Sequence, residues 1–199
     1  MNLSVSHNVP ALSAVLAKSA DFTGAAGRRS MFARAAYAVA NLVRRHILRI
    51  APAHHLSAAK LGAQPTEFFG KAARRTTSSA TNDYGLVTIG SAGFSRAFRE
   101  VTIRPTNGRR WLTIPRAADS YGHTVKEMRS HFGWKIYRPG NARILMGVKD
   151  GERVPLFVLA EQARQRQDRS LLPSDGAIGE TASAAAMREF SRQMELARK

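Results

Sequence analysis

The chain has 199 residues and a formal net charge of +17, from 31 Lys and Arg against 14 Asp and Glu. A hydrophobic content of 44% supports a packed core, and the longest apolar run is too short to cross a bilayer, so no membrane role is expected. The absence of Cys excludes disulfides and thiolate metal sites.

The length is within the range of one domain. Residues 1–10 lack a basic stretch followed by an apolar one, so no signal peptide is expected. The charge is uneven, with 11 basic and 2 acidic residues in the first 82. It points to a polyanion partner, either nucleic acid or an acidic protein surface. Arg outnumbers Lys, which suits bidentate contacts to phosphate or carboxylate.

Residues 10–18 suit a short helix, and the small, Gly-containing stretch 20–27 reads as a loop. Residues 1–27 are therefore expected to be an arm that orders against a partner. Over 28–50, Phe32, Ala36, Val39, Val43, Ile47 and Ile50 recur at spacings of three and four, the stripe of a helix packed on a sheet. Pro52 is expected to stop it. His54 and His55 are adjacent, hence divergent, and no third ligand stands at a fitting spacing, so no metal or cofactor is expected. Residues 65–76 read as a second helix capped by Thr66, with Phe68, Phe69, Ala72 and Ala73 on its apolar side. Lys71, Arg74 and Arg75 fall toward its C-terminal end, where the helix dipole favours cations. Residues 77–83 read as a polar linker.

Three short β-rich runs follow, at 86–89, 101–104 and 111–114, with a helical turn at 95–98 between the first two. Pro105-Thr106-Asn107-Gly108 is a turn signal that predicts a hairpin between the second and third. Thr124 and Glu127 have the spacing of a capping box for a helix over 124–131. Strands are expected at 134–137, 144–148 and 154–160, the last two joined at Asp150-Gly151. Pro155 sits near the start of its strand, where a missing N–H is tolerated. Residues 164–173 read as an extended arm. Residues 174–199 form a last helix, capped by Ser174 or Asp175, with a stripe of small residues. The expected fold is α+β: an antiparallel sheet of about five strands, with the long N-terminal helix and the C-terminal helix packed on it. It divides into an arm (1–27), a core (28–163) and an arm with the C-terminal helix (164–199).

No Gly-rich phosphate loop, Gly-x-Ser-x-Gly elbow or His-Glu-x-x-His is present. Gly90-Ser91-Ala92-Gly93 has the wrong spacing for a nucleophile turn. Asp119 with His123, and Asp150 with Glu152, read as pairs in exposed turns. The sequence is therefore read as a non-enzyme. A basic nucleic-acid-binding protein is the alternative that charge alone supports, although no recognition motif accompanies it. A small hydrolase ranks last.

Three segments resemble the virion-morphogenesis proteins of tailed bacteriophages, which complete tails or join them to heads. T-I-R-P-T-N-G-R-R-W-L-T-I-P-R at 102–116, followed by Tyr121-Gly122-His123, is similar to that family's strand, turn and strand leading into a His/Tyr-Gly-Lys element. K-L-G-A-Q-P-T-E-F-F-G-K-A-A-R at 60–74 resembles its L-G-G-x-x-T-x-F-Y-x-x-A-A-R segment, and R-Q-D-R-S-L-L-P-S-D at 166–175 resembles its K-P-D-P-S-L-L-P-x-D segment. The likeness covers roughly residues 28–195 in order. Arg99-Glu100-Val101 stands where the family has Gly-Gly, and Arg169 where it has Pro. The resemblance implies a virion location at the head–tail junction or tail. It further implies a homo-oligomeric ring, six-fold to match a tail, with other neck and tail proteins as partners and DNA in its channel as a secondary contact. Such a ring needs a heterologous interface, for which residues 1–27 and the arm with Arg164, Arg166, Arg169, Leu171 and Leu172 are candidates. Arg28, Arg29, Arg34, Arg44, Arg45 and Arg49 on the first long helix, with Arg74 and Arg75, are the expected electropositive surface for a partner or DNA.

Overall fold

A computed structural model describes residues 4–5, 10–54 and 56–198. In chain order, β1 (Ser4–Val5) precedes the helices α1 (Pro10–His54), α2 (Leu56–Lys60) and α3 (Phe68–Arg74). Strands β2 (Thr76–Ala80), β3 (Gly85–Ile89), β4 (Val101–Ile103) and β5 (Leu112–Pro115) follow, then helix α4 (Val125–Ser130). Strands β6 (Lys135–Tyr137), β7 (Ile144–Lys149), β8 (Glu152–Ala160) and β9 (Ala163–Gln165) lead to the last helix, α5 (Asp175–Ala197). Every strand pair is antiparallel, and the fold is α+β. The strands form three sheets instead of one of about five, in the orders β1-β3-β2, β4-β9 and β5-β8-β7-β6. The chain divides into two compact units, the first made of Met1–Ile50, Phe68–Ala97 and Asp168–Lys199, the second of Ala51–Glu67 and Phe98–Gln167.

Helix α1 extends beyond 28–50 at both ends, its last residues, 51–54, falling in the second unit. The expected loop at 20–27 is helical apart from Gly24 (φ 58°, ψ −171°), a conformation open to Gly because it lacks a β-carbon. Two helical stretches meet at a kink there, so Gly24 interrupts the helix although no eight-residue loop forms. Pro52 lies inside the last turn of the helix, which ends at His54. There its missing N–H removes one bond and no further turn depends on it. The expected stripe is buried: Phe32, Ala36, Val39, Val43 and Ile47 are all at most 8% exposed. Helix α5 starts at the expected cap, Ser174, whose hydroxyl accepts from Ala177 N at 3.2 Å. Ser30 donates to Glu189 at 2.6 Å and Gln193 donates to the Gly27 carbonyl at 3.2 Å, so α5 runs antiparallel to α1. Ala182, Ala185 and Ala186 bury the small-residue stripe.

Helix α3 begins at Phe68, two residues past the expected Thr66 cap. Phe69 and Phe94 are buried, and Phe68 stacks on Phe94 at 5.6 Å while meeting Phe69 edge-on at 5.2 Å. The Ala92–Ala97 3-10 helix places Gly93 so close that a β-carbon would sit 2.6 Å from Phe68 Cζ. The polar linker expected at 77–83 is in part strand β2, paired with β3 from Thr76↔Ile89 to Ala80↔Gly85. Its sequence, Thr-Thr-Ser-Ser-Ala, has no apolar alternation to betray it. Its anchor is Thr76, fully buried and donating its hydroxyl to the Ala72 carbonyl at 2.9 Å.

The second unit holds the other two sheets. The predicted hairpin between 101–104 and 111–114 does not form: β4 pairs with β9 and β5 with β8. The turn itself does form, with Asn107 and Gly108 at positive φ and Arg109 N bonded to the Thr106 carbonyl at 3.2 Å. A turn fixes only its own residues, and pairing with β8 places Pro115 beside the buried Phe157. The hairpin at Asp150-Gly151 is as expected, with both residues at positive φ between β7 and β8. Met128, Trp134, Ile136, Leu156 and Phe157 form the core against one face of the four-stranded sheet. A bulge beside Leu145 and Met146 turns the consecutive Leu156 and Phe157 to this same side. Helix α4 carries the expected capping box: Glu127 N donates to Thr124 Oγ1 at 3.2 Å and Thr124 N to Glu127 Oε2 at 2.6 Å. Two apolar residues of the expected strands face outward, Ile103 at 37% and Ile114 at 40% exposure. Phe68, Val87, Ile89, Leu112, Leu145 and Val158 are partly buried, and Leu156 completely so.

Candidate interaction surface

The eight singled-out arginines, Arg28, Arg29, Arg34, Arg44, Arg45, Arg49, Arg74 and Arg75, all belong to the first unit, but the structure does not use them alike. At about 100° per residue, Arg34, Arg45 and Arg49 fall on one flank of α1, opposite the buried stripe. All three are exposed, as are Arg29, Arg74 and Arg75, while Arg28 is half-buried. Arg44 points the other way. Its Nε and Nη2 donate to the Thr76 carbonyl at 3.1 and 2.5 Å, and its Nη1 to Asn41 Oδ1 at 2.8 Å. It is a structural cation that satisfies the end of β2, and it is removed from the contact surface.

Arg49 is steadied by a relay. His46 Nε2 lies 2.8 Å from the Ser170 carbonyl, which can only accept, so that nitrogen carries the proton. His46 Nδ1 is then free to accept from Arg49 Nη2 at 3.1 Å. Arg34 lies 3.7 Å from Glu189 Oε2 and keeps a 63% exposed side chain. Glu189 is itself 4% exposed. The bidentate Arg192 guanidinium, at 2.6 and 2.9 Å, holds its carboxyl down to about 2 against the cost of burial, with help from Ser30 and Gln193. Nothing in the sequence marked Glu189 out from Glu180 and Glu195 on the same helix.

The expected arm at 164–173 folds onto its own chain. Arg164 sits in β9 opposite Thr102 and pairs with Glu100. Gln167 Nε2 donates to the Phe98 carbonyl and Asp168 N to the Arg96 carbonyl, both at 2.8 Å. Leu171 is fully buried and Leu172 partly so. Arg166 and Arg169 are exposed. The segment has too few apolar residues to read as core, but Leu171 finds a place there. Its place is thus on its own chain, with Arg164, Arg166 and Arg169 left exposed. Of the N-terminal arm, Ser4–Val5 pair with β3, and residues 1–3 and 6–9 lie outside the described residues, as does His55.

A second basic cluster, in the second unit, escaped the sequence reading. The guanidiniums of Arg110, Arg138 and Arg143 lie 5.0, 5.7 and 5.3 Å from the centre of the Trp111 ring. Each gains about 0.5–1 kcal/mol from the ring at an exposed site. The signal was the Arg-Arg-Trp run and the two arginines flanking the Pro139-Gly140-Asn141 turn. Arg143 also meets Glu161 at 3.1 Å.

The second unit contains a pocket of about 480 Å³ whose walls come from Gly62–Thr66, from the 118–123 loop, and from Phe132, Trp134 and Lys149. Gly122, at φ 79°, approaches so closely that a β-carbon would sit 2.8 Å from Thr66 Cγ2. Asp119 and His123 are both exposed at its rim, and the His123 ring packs on Phe132 at 4.6 Å. Lys149 Nζ lies 5.9 Å from the Trp134 ring. Among the described residues, no group of three or more His, Cys, Asp or Glu is placed to hold a metal ion, and no helix is long and apolar enough to cross a membrane. Comparison with protein families, with curated proteins and with solved structures found no match to this chain.

Proposed function

We propose that the chain is a non-enzymatic structural protein of a tailed-phage virion, a ring subunit that completes the tail or joins it to the head. The observation that carries the reading is the ordered run of three family-like segments. Two of them, Gly62–Thr66 and Tyr121-Gly122-His123, line the same pocket although they are far apart in sequence. Shared use of one site is what a functional pairing of those segments requires. The exposed flank of α1 supplies the contact surface, with Arg45 and Arg49 at its centre and Arg29, Arg34, Arg74 and Arg75 as further exposed cations.

This flank docks on an acidic surface of an adjoining ring. DNA contact is secondary, because each phosphate neutralised adds to affinity and would brake DNA passing through the channel. The competing reading, a nucleic-acid-binding protein, draws on the charge of +17. Charge reversal separates the two. The double substitution Arg45→Glu and Arg49→Glu should block head–tail joining, and Lys substitutions on the partner's acidic surface should restore it. Intact joining with altered DNA retention would put these cations on phosphate.

A further inference from the structure

The four-stranded sheet has two apolar faces, and its own core covers only one. The register fixes which residues share the other. Ile114, Val158 and Ile144 form one row across β5, β8 and β7, and Tyr137, Met146 and Pro155 form the next across β6, β7 and β8. Both rows are partly exposed, with Ile114 at 40% and Tyr137 at 41%. They lie opposite the side on which Gly147 meets Leu156 and Trp134. One end of this face is the row Lys135, Val148 and Arg153. Leu112 and Ala160 close the other end of this face. No register row on this face contains a carboxylate.

We infer that this face is a second docking surface, distinct from the α1 flank, for a different protein that presents an apolar centre bordered by Asp and Glu. Charge complementarity selects this occupant. A second copy of the chain would bring like charge to like charge, since its excess is +17. A nucleic acid would match the cationic Lys135 and Arg153 but would lay phosphates over Ile114, Val158 and Met146, which offer them no hydrogen bond. Four strands at about 4.8 Å and some six residues at about 3.3 Å give a patch of roughly 400 Å². That is about half of one side of a standard interface, so the cationic row of Lys135 and Arg153 and the surface beside it must join the contact to complete it. The inference does not depend on a phage origin.

The test uses the full chain and defined probes: polyglutamate, a random Glu–Tyr copolymer of equal charge, and a DNA duplex of equal charge. The copolymer adds buried apolar area to the same electrostatic attraction, so it should bind at least about tenfold tighter than polyglutamate. The pair Ile114→Ser and Tyr137→Ser should abolish that advantage, with melting temperature and DNA binding unchanged. The pair Lys135→Glu and Arg153→Glu should weaken both polypeptides together. Equal affinity for the two polypeptides would overturn the inference, as would an advantage that survives the serine pair. So would DNA binding lost with the serine pair, or a concentration-dependent dimer that the serine pair dissociates. If the serine pair lowers the melting temperature, Ile114→Thr alone gives the same comparison at an exposed strand position.

Discussion

Glu189 is a carboxylate with 4% exposure, and its position is tolerable only because its oxygens are fully engaged by Arg192, Ser30 and Gln193. Its carboxyl titrates at about 2 in the fold against 4.5 ordinarily. Between those values the unfolded chain binds the proton and the native chain does not, so stability rises with pH across the window. The contribution is complete above about 4.5 and lost as pH falls toward about 2. At full strength it amounts to about 3 kcal/mol, at 1.36 kcal/mol per pH unit. Melting curves from pH 6 to pH 2 should fall more steeply for the wild type than for Glu189→Gln; parallel curves would contradict this.

The contrast between Gly147 and Ile114 is equally specific. A β-carbon at Gly147 would lie 2.4 Å from Leu156 Cδ1 and 2.7 Å from Trp134 Cε3, so Gly147→Ala should cost about 1–3 kcal/mol by overpacking. Ile114 was legible as a strand residue but not as an outward-facing one, because an apolar side chain carries no mark of which side of a sheet lies against the core. At 40% exposure, Ile114→Asp should cost less than about 1 kcal/mol instead of the several expected for a buried charge. Urea denaturation of both variants checks the pair, and the reverse ranking would show the faces wrongly assigned.

At the scale of elements, the signals that act within a few residues were legible. The Thr124–Glu127 box, the Ser174 cap and the Asp150-Gly151 turn each determine local backbone and are where the sequence places them. What was not legible is pairing over distance. The Asn107-Gly108 turn forms, yet its flanking strands take partners far along the chain, β9 and β8. Turn chemistry sets direction, whereas partner choice depends on burial contributed by the whole chain. Strand β2 was missed for the same reason, since its stability comes from β3, Thr76 and the Arg44 guanidinium. The 3-10 helix Ala92–Ala97, by contrast, holds to its unit through one large residue. Phe94 is 1% exposed between Phe68 and Phe69, and Phe94→Ala should cost about 3–5 kcal/mol. A loss under 1 kcal/mol in chemical denaturation would mean that the aromatic trio is not a packing centre.

At the scale of the molecule, the dominant feature is charge, and the sequence disclosed its size but not its distribution of tasks. Arg44 completes a strand, Arg192 neutralises a buried acid, and Arg110, Arg138 and Arg143 collect around one ring. Side chains such as these are indistinguishable from contact residues until their partners are known. The cations proposed to meet partners are exposed ones on the flank of α1 and beside the four-stranded sheet. A ring subunit between head and tail needs such separate surfaces, because its two neighbours along the axis differ. The central claim is that this protein joins those neighbours. Electron microscopy of particles produced after deleting its gene from the phage proposed to carry it tests the claim most directly. The account predicts DNA-filled heads and free tails, with joining restored by supplying the wild-type chain; intact, normally proportioned virions would contradict it.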